Sequence, residues 1–397
     1  MSFFDTLAAA FKGGGGRRVP LSSGYVAPWA SAIGGGAAGG RFDYREALDA
    51  AFARNAVAQR AVRIVAEGVG SAPLRIDEPG IARLLGKGAG GGAGGGALVE
   101  MLAAHLLLHG NAFAQVVKDA DGRPVALYPL RPERVEVVPG EDGWPVACRY
   151  RLATRVQTIP LEDEKGWPEL IHWRSLHPAD DHYGGGCLAA AAQAVAIHNA
   201  ASAWNRTLLE NAARPSGALI YRPDDAGGLT REQYDRLSGE LSDAFSGQRN
   251  AGRPMLLEGG LSWQPLSMTP ADMDFATLKA AAARDIALAF GVPPMLLGLP
   301  GDNTYSNYRE ANRALWRLTL LPLAGKLLSG LGETLGAWFP SARLEVDLDR
   351  VPALAEDRER LWAQVAGADF LGAAEKRAML GLPPLDANPN GTKEEGR

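Results

Sequence analysis

Several things are scarce in this 397-residue chain. It has only two cysteines, Cys148 and Cys187, too few for a disulfide framework and suited to a reducing cytosol. It has no apolar run near the roughly 20 residues a bilayer requires. The most apolar stretch, Leu102 to Leu108, is interrupted by His105. The N-terminal MSFFDTLAAAFKGGGG lacks a basic start leading into an apolar core, so no signal peptide is expected and no membrane partner is read. An excess of positive charge is also missing. The formal charge is −4, which excludes a protein that coats nucleic acid by bulk electrostatics. Neither GxxxxGK[ST] nor GxSxG occurs, so the sequence carries no Walker motor and no nucleophile elbow.

Apolar residues make up 46% and charged residues 22%, the balance of a folded chain with a substantial core. Of 41 basic residues 33 are Arg and 8 Lys, a bias that reads, beside abundant Ala and Gly, as coding composition. Glycine is concentrated in 34–40 and 86–96, which read as flexible loops. Gly86, Gly88 and Gly91 match GxGxxG only formally, because they follow a helix where a dinucleotide site needs a strand. No cofactor is implied.

The hydrophobic spacing places a helical pattern over Tyr44–Glu67, a strand at Pro73–Ile76 and an apolar helix from Leu98 to His109 stopped by Gly110. A β-rich unit then occupies 110–176, with a hairpin turning at Asp119-Ala-Asp-Gly122 and strands at 135–138, 148–152 and 170–173. A long helix follows from Leu188 to Ala213. A small α/β insert comes next, with strands at 217–221, 254–257 and 261–263 and a helix capped at Thr230. A second helix, 271–290, leads through the Pro/Gly loop 291–306 into a third, Asn307–Trp338, with a bend expected at Pro322. Strand 343–347 and a helical pair close the chain.

Three histidine groups invite a chemical reading. His105 and His109 stand four apart but lack the glutamate of HExxH, so a satisfied helical pair is expected. His172, His177 and His182, with Asp180 and Asp181, form the densest set of potential ligands. A metal-dependent hydrolase centred on them is the alternative function, with the ligands required to converge on one point. Arg231, Arg236, Arg249, Asn250 and Arg253 in the insert are interleaved with Asp235 and Asp243, which reads as a solvated mixed surface.

The order of elements says more than any local motif. Two long helices bracket an α/β insert, and a Pro-rich loop leads into another long helix. His109-Gly-Asn-Ala-Phe113, Tyr128-Pro-Leu-Arg-Pro-Glu-Arg-Val135, Ile171-His-Trp173, Asn250-Ala-Gly-Arg-Pro254, Leu257-Glu-Gly-Gly-Leu261, Phe290-Gly-Val-Pro-Pro294 and Met379-Leu-Gly-Leu-Pro-Pro384 occur in this order. In this the chain resembles the siphophage-type portal proteins of tailed bacteriophages and their gene-transfer-agent relatives. It departs at Ala374-Glu375, where many relatives have Asn-Glu.

The resemblance implies an α+β portal fold and a structural, non-enzymatic ring, usually of 12 subunits, at one capsid vertex. Double-stranded DNA would pass through its channel during packaging and ejection. The terminase large subunit, the major capsid protein and a head-tail adaptor would be its partners. It divides the chain into a flexible N-terminus (1–41), wing (42–187), stem helix (188–214), clip (215–268), second stem helix (269–290), tunnel loop (291–306), tunnel helix with a returning wing strand (307–349), crown (350–386) and disordered tail (387–397). The tunnel loop brings Pro294, Met295, Leu296, Leu297, Leu299, Asp302, Asn303, Thr304 and Tyr305 to the channel. The clip offers Arg222, Arg231, Arg236, Arg249, Asn250, Arg253, Leu256 and Leu261 for terminase and adaptor docking.

Overall fold

A computed structural model describes residues 42–86, 96–210, 217–221, 230–236, 239, 261–265, 275–299 and 305–382. Along the chain these form α1 (Tyr44–Leu48), a π-helical turn (Asp49–Ala53), α2 (Ala56–Gly70), β1 (Leu74–Ile76), α3 (Pro79–Gly86), α4 (Gly96–His109), β2 (Asn111–Lys118) and β3 (Pro124–Leu130). Strands β4 (Val135–Pro139), β5 (Pro145–Leu152), β6 (Arg155–Pro160) and β7 (Leu170–Arg174) follow, then α5 (Cys187–Glu210), β8 (Gly217–Tyr221), β9 (Leu261–Pro265) and α6 (Phe275–Ala289). The last elements are a 3-10 turn (Pro294–Leu297), α7 (Tyr305–Leu315), a π segment (Trp316–Leu320), α8 (Leu321–Leu335), β10 (Leu344–Val346), α9 (Ala355–Ala366) and α10 (Ala373–Met379). Strand 254–257 and the start of the helix at Thr269-Pro270 fall outside the described residues.

The described residues divide into two units, one holding those up to 62 and those from 186 to 299, the other those from 63 to 185 and from 305 to 382. Helix α2 runs across the 62/63 boundary.

The larger unit is built on two three-stranded antiparallel sheets, ordered β3-β2-β7 and β4-β5-β6. The expected hairpin is present, with Phe113 opposite Leu130 and Val117 opposite Ala126. The inward sides of the two sheets share one core: Phe113, Leu130, Val135, Val137, Cys148, Tyr150, Ile159 and Leu170, flanked by Leu161 and Tyr183. Strand β6 was not anticipated. Only Ile159 among its six residues is buried, so it has none of the alternation by which a half-buried strand is recognised. Helix α4 is apolar nearly all round, with eight buried residues, as expected of a helix enclosed on several sides. Gly110 ends it at φ 83.

The expected third long helix begins at Tyr305 rather than 307 and ends at Leu335. The disturbance expected at Pro322 lies just upstream, in the π segment, because a proline leaves the carbonyl one turn before it without its donor. On α8, Trp173 from β7 lies across Gly330 and donates its indole N–H to the Leu327 carbonyl at 3.2 Å. Trp167 stacks on Trp338, whose indole N–H reaches the Gly122 carbonyl.

In the other unit α5 packs along α6, and the buried positions include Ala191, Ala194, Val195 and Ala201 on α5 and Ala282, Ala283, Ile286 and Ala287 on α6, most of them small. The helical pattern expected to run unbroken from Tyr44 is interrupted at Asn55. Its side chain caps α2 by accepting from the Ala58 N–H at 2.9 Å and donates to Asn199 on α5 at 2.9 Å. Asn199 in turn donates to the Ala50 carbonyl. These bonds satisfy a buried amide and explain why the chain breaks helix there. Strands β8 and β9 pair antiparallel, Tyr221 opposite Leu261.

Candidate functional site

The loop after α6 follows from the sequence Phe290-Gly-Val-Pro-Pro294. The Val292 N–H bonds back to the Ala287 carbonyl at 2.9 Å and the Gly291 N–H to Leu288 at 3.0 Å. This is the 6→1 and 5→2 pairing that closes a helix, and it requires Gly291 at φ 66. Pro293 and Pro294 prevent the helix from resuming. The chain then makes one 3-10 turn, with Leu296 N–H bonded to Pro293 O and Gly298 N–H to Met295 O. Phe290 and Val292 are buried, Met295, Leu296, Leu297 and Leu299 are half-buried and Pro294 is exposed. Asp302, Asn303 and Thr304 lie outside the described residues, and Tyr305 belongs to α7 rather than to the loop.

The same device ends α10. The Leu382 N–H bonds to Arg377 O at 2.8 Å and the Gly381 N–H to Ala378 O at 3.1 Å, with Gly381 at φ 74. Two of the seven motifs that carry the resemblance are therefore the same glycine-stopped helix end.

A charged cluster that the sequence reading missed joins α7 and the π segment after it to α9. Arg309 pairs with Glu356 at 2.6 Å, and Arg313 with Glu356 at 2.8 Å and Glu310 at 3.0 Å. Arg317 pairs with Asp357 at 2.8 Å, and Arg313 Nε lies 3.5 Å from the same carboxylate. The i, i+4, i+8 spacing of the arginines was legible. Apart from Glu310, their acidic partners lie about forty residues or more away in sequence, so the pairing was not.

The histidines serve different ends. His172 stacks on Phe113 with centroids 4.1 Å apart and donates Nε2–H to Asn111 Oδ1. Burial, with Arg174, His109 and His182 nearby, lowers its pKa to about 3. His177 Nδ1 accepts from the Ala179 N–H, while Asp180 accepts from the N–H groups of His182 and Tyr183, organising the turn instead of facing a metal. Among the described residues no three His, Cys, Asp or Glu side chains are placed to hold a metal ion. His172, His177 and His182 therefore do not converge as the hydrolase alternative required. The expectation of a satisfied pair at His105 and His109 is also corrected, since His105 Nδ1 is buried without a hydrogen bond. Desolvation lowers both pKa values to about 4. Burial pushes the Cys148 thiol up to about 12, which disfavours the thiolate that a nucleophile needs.

At the centre of this region Asn111, from the His109-Gly-Asn motif, uses both ends of its amide. Oδ1 accepts from the Gly184 N–H at 2.8 Å and from His172, and Nδ2 donates to Gly184 O at 3.1 Å. A Cβ on Gly184 would lie 2.5 Å from Ser175 N, so only glycine fits.

Of the insert residues, Arg231 and Arg236 are exposed on a helical stretch that opens with a capping box: Gln233 N–H bonds to Thr230 Oγ1 and Thr230 N–H to Gln233 Oε1. Leu261 starts β9. Arg222, Arg249, Asn250, Arg253 and Leu256 lie outside the described residues. No described helix is long and apolar enough to cross a membrane.

A β-rich and helical unit, long helices bracketing a strand pair, and a helix resumed after a Pro-rich turn together define a portal-type subunit. The phage portal protein family model matches residues 56–381, and the chain belongs to that family. Among solved structures it is similar to a chain of the native gene transfer agent virion, at 48% identity and TM-score 0.67, covering 87% of this chain and 95% of that one. A chain in the neck of the native gene transfer agent particle, computed with C12 symmetry, matches at 47% identity and TM-score 0.66 over 86% of this chain and 94% of that one. A portal protein of the HK97 phage family from Corynebacterium diphtheriae shares the fold at 19% identity and TM-score 0.56, over 76% of this chain and 96% of that one.

Proposed function

We propose that this chain is the portal subunit of a gene-transfer-agent-type particle. Twelve copies close into a heterologous ring at one capsid vertex, and double-stranded DNA passes through the central channel during packaging and ejection. The observation that carries this reading is the 47% identity, over nearly the whole chain, to a component of a neck with twelvefold symmetry. A closed ring of identical heterologous contacts is what such symmetry demands of a subunit. The role is structural. The chain supplies a passage and docking surfaces, and the energy for DNA movement comes from a separate terminase.

Within this reading 42–187 form the wing, 188–214 and 269–290 the stem, 215–268 the clip, 291–306 the tunnel loop, 307–349 the tunnel helix with its returning strand, and 350–386 the crown. The clip docks the terminase large subunit and later a head-tail adaptor, and the wing meets the major capsid protein. The loop's half-buried leucines make a narrow apolar collar. Such a collar offers few contacts to phosphate, so DNA slides past it while its width limits backflow.

Electron microscopy and native mass measurement of the purified chain test the assignment. Rings of twelve with a central opening are expected. A chain that stays monomeric at high concentration and in assembled particles would remove the portal reading.

A further inference from the structure

We propose that Glu356 and Asp357 are a charge mask on α7 and the π segment that continues it. They hold Arg309, Arg313 and Arg317 in ion pairs and so keep this helix from gripping the phosphates of DNA that moves past it. The inference rests on the portal reading above, in which the tunnel loop reaches the channel and the tunnel helix continues directly from it.

The geometry is specific. Arg309 and Arg313 lie on α7 and Arg317 in the π segment that continues it; spaced four apart, they follow one side of the helix and span about 12 Å at the usual rise. That is a few phosphate spacings along a DNA strand. Guanidinium forks at this separation are well suited to phosphate oxygens. Side chains Arg309 and Arg317 are 50% and 56% exposed, within reach of a polyanion. Each nevertheless faces a carboxylate of α9: Glu356 takes Arg309 on one oxygen and Arg313 on the other, and Asp357 takes Arg317. Glu310 supplies the third negative charge. Three cations meet three anions, and the local sum is zero.

Cohesion alone accounts poorly for this arrangement. Exposed ion pairs add little to stability, and one pair at the less exposed Arg313 would suffice to register α9 against α7. A neutralised stripe on a helix beside moving DNA has a clearer use. It lets the arginines fix the C-terminal helix without leaving free cations to bind the cargo.

The test uses Glu356→Gln with Asp357→Asn in the full chain. Each amide keeps one acceptor oxygen, so Glu356→Gln retains one of its two guanidinium contacts while the negative charge is lost. Assembled rings of wild type and variant are titrated with a short fluorescent duplex DNA between about 50 and 200 mM salt. The variant rings are expected to bind about tenfold tighter or more at the lower salt, with a steeper salt dependence. Adding Arg309→Gln and Arg317→Gln should abolish the gain. Rings with unchanged DNA affinity, or a gain that survives loss of the arginines, overturn the mask and leave a structural clamp. Asp357→Asn alone, which frees chiefly Arg317, gives the same comparison should the double variant fail to assemble. A wild-type chain that forms no rings removes the portal reading, and this proposal with it.

Discussion

Replacing glycine by alanine should have opposite effects at different points of the single helix α8. Helix propensity alone says every such change stabilises, by about 1 kcal/mol. At Gly325 and Gly332 the structure leaves that gain intact, because a Cβ built there meets nothing within 4 Å. At Gly330 the same Cβ would sit 2.8 Å from Cδ1 of Trp173 and closer still to its indole nitrogen. Trp173 is only 4% exposed and cannot swing into solvent without emptying part of the core. Overpacking costs about 1–3 kcal/mol. Displacing the indole from the Leu327 carbonyl leaves a buried N–H unpaired for about 1–3 more. Set against the propensity gain, Gly330→Ala should lose about 1–5 kcal/mol, while Gly325→Ala and Gly332→Ala each gain up to about 1 kcal/mol. Urea unfolding followed by far-ultraviolet circular dichroism measures all three, at one protein concentration because assembly contributes to apparent stability. In a Trp173→Phe background the penalty at Gly330 should shrink, since the N–H and part of the ring are gone. Gly330→Ala as stable as wild type would refute the argument.

Acid should weaken the larger unit before its carboxylates titrate. His105, His109 and His172 are held neutral, near 4, 4 and 3, against about 6.5 unfolded, so their full contribution is present above 6.5. It falls as pH drops from there toward 4 and then 3, by about 1.4 kcal/mol per pH unit per histidine. Melting temperatures across this range measure it, and His172→Gln should flatten the slope by one proton; an unchanged slope would place His172 outside the titration. Deleting Leu297 to Asp302 should leave rings that assemble but retain packaged DNA poorly, and normal retention in intact rings would make the loop a connector only. Deleting Arg222 to Ser267 should abolish packaging and tail attachment, read by particle yield and micrographs, and unaffected particles would defeat the clip assignment.

The sequence by itself determined whatever depends on bonds between near neighbours. Phe290-Gly-Val-Pro-Pro294 and Met379-Leu-Gly-Leu-Pro are legible because a glycine at positive φ and two back-bonded amides end a helix with no outside help. The hairpin at Asp119–Gly122 is local in the same sense: Asp119 accepts from the N–H groups of Asp121 and Arg123. Together with the order of the long helices, these local signals were enough to recognise the family. The tertiary structure decided what distant segments do to each other. Asn55 breaks a helical pattern because its buried amide finds Asn199 on α5. Strand β6 exists because β5 offers it an edge, although its own residues are nearly all exposed. The histidine cluster comes apart because a strand and a turn aim its members at different partners: His172 at Asn111, His177 at the Ala179 backbone N–H. The arginines of α7 and its π segment read as composition bias until α9 brings Glu356 and Asp357 against them. In each case the deciding group lies far along the chain, and only the closing of the fold supplies the proximity that a hydrogen bond or an ion pair requires.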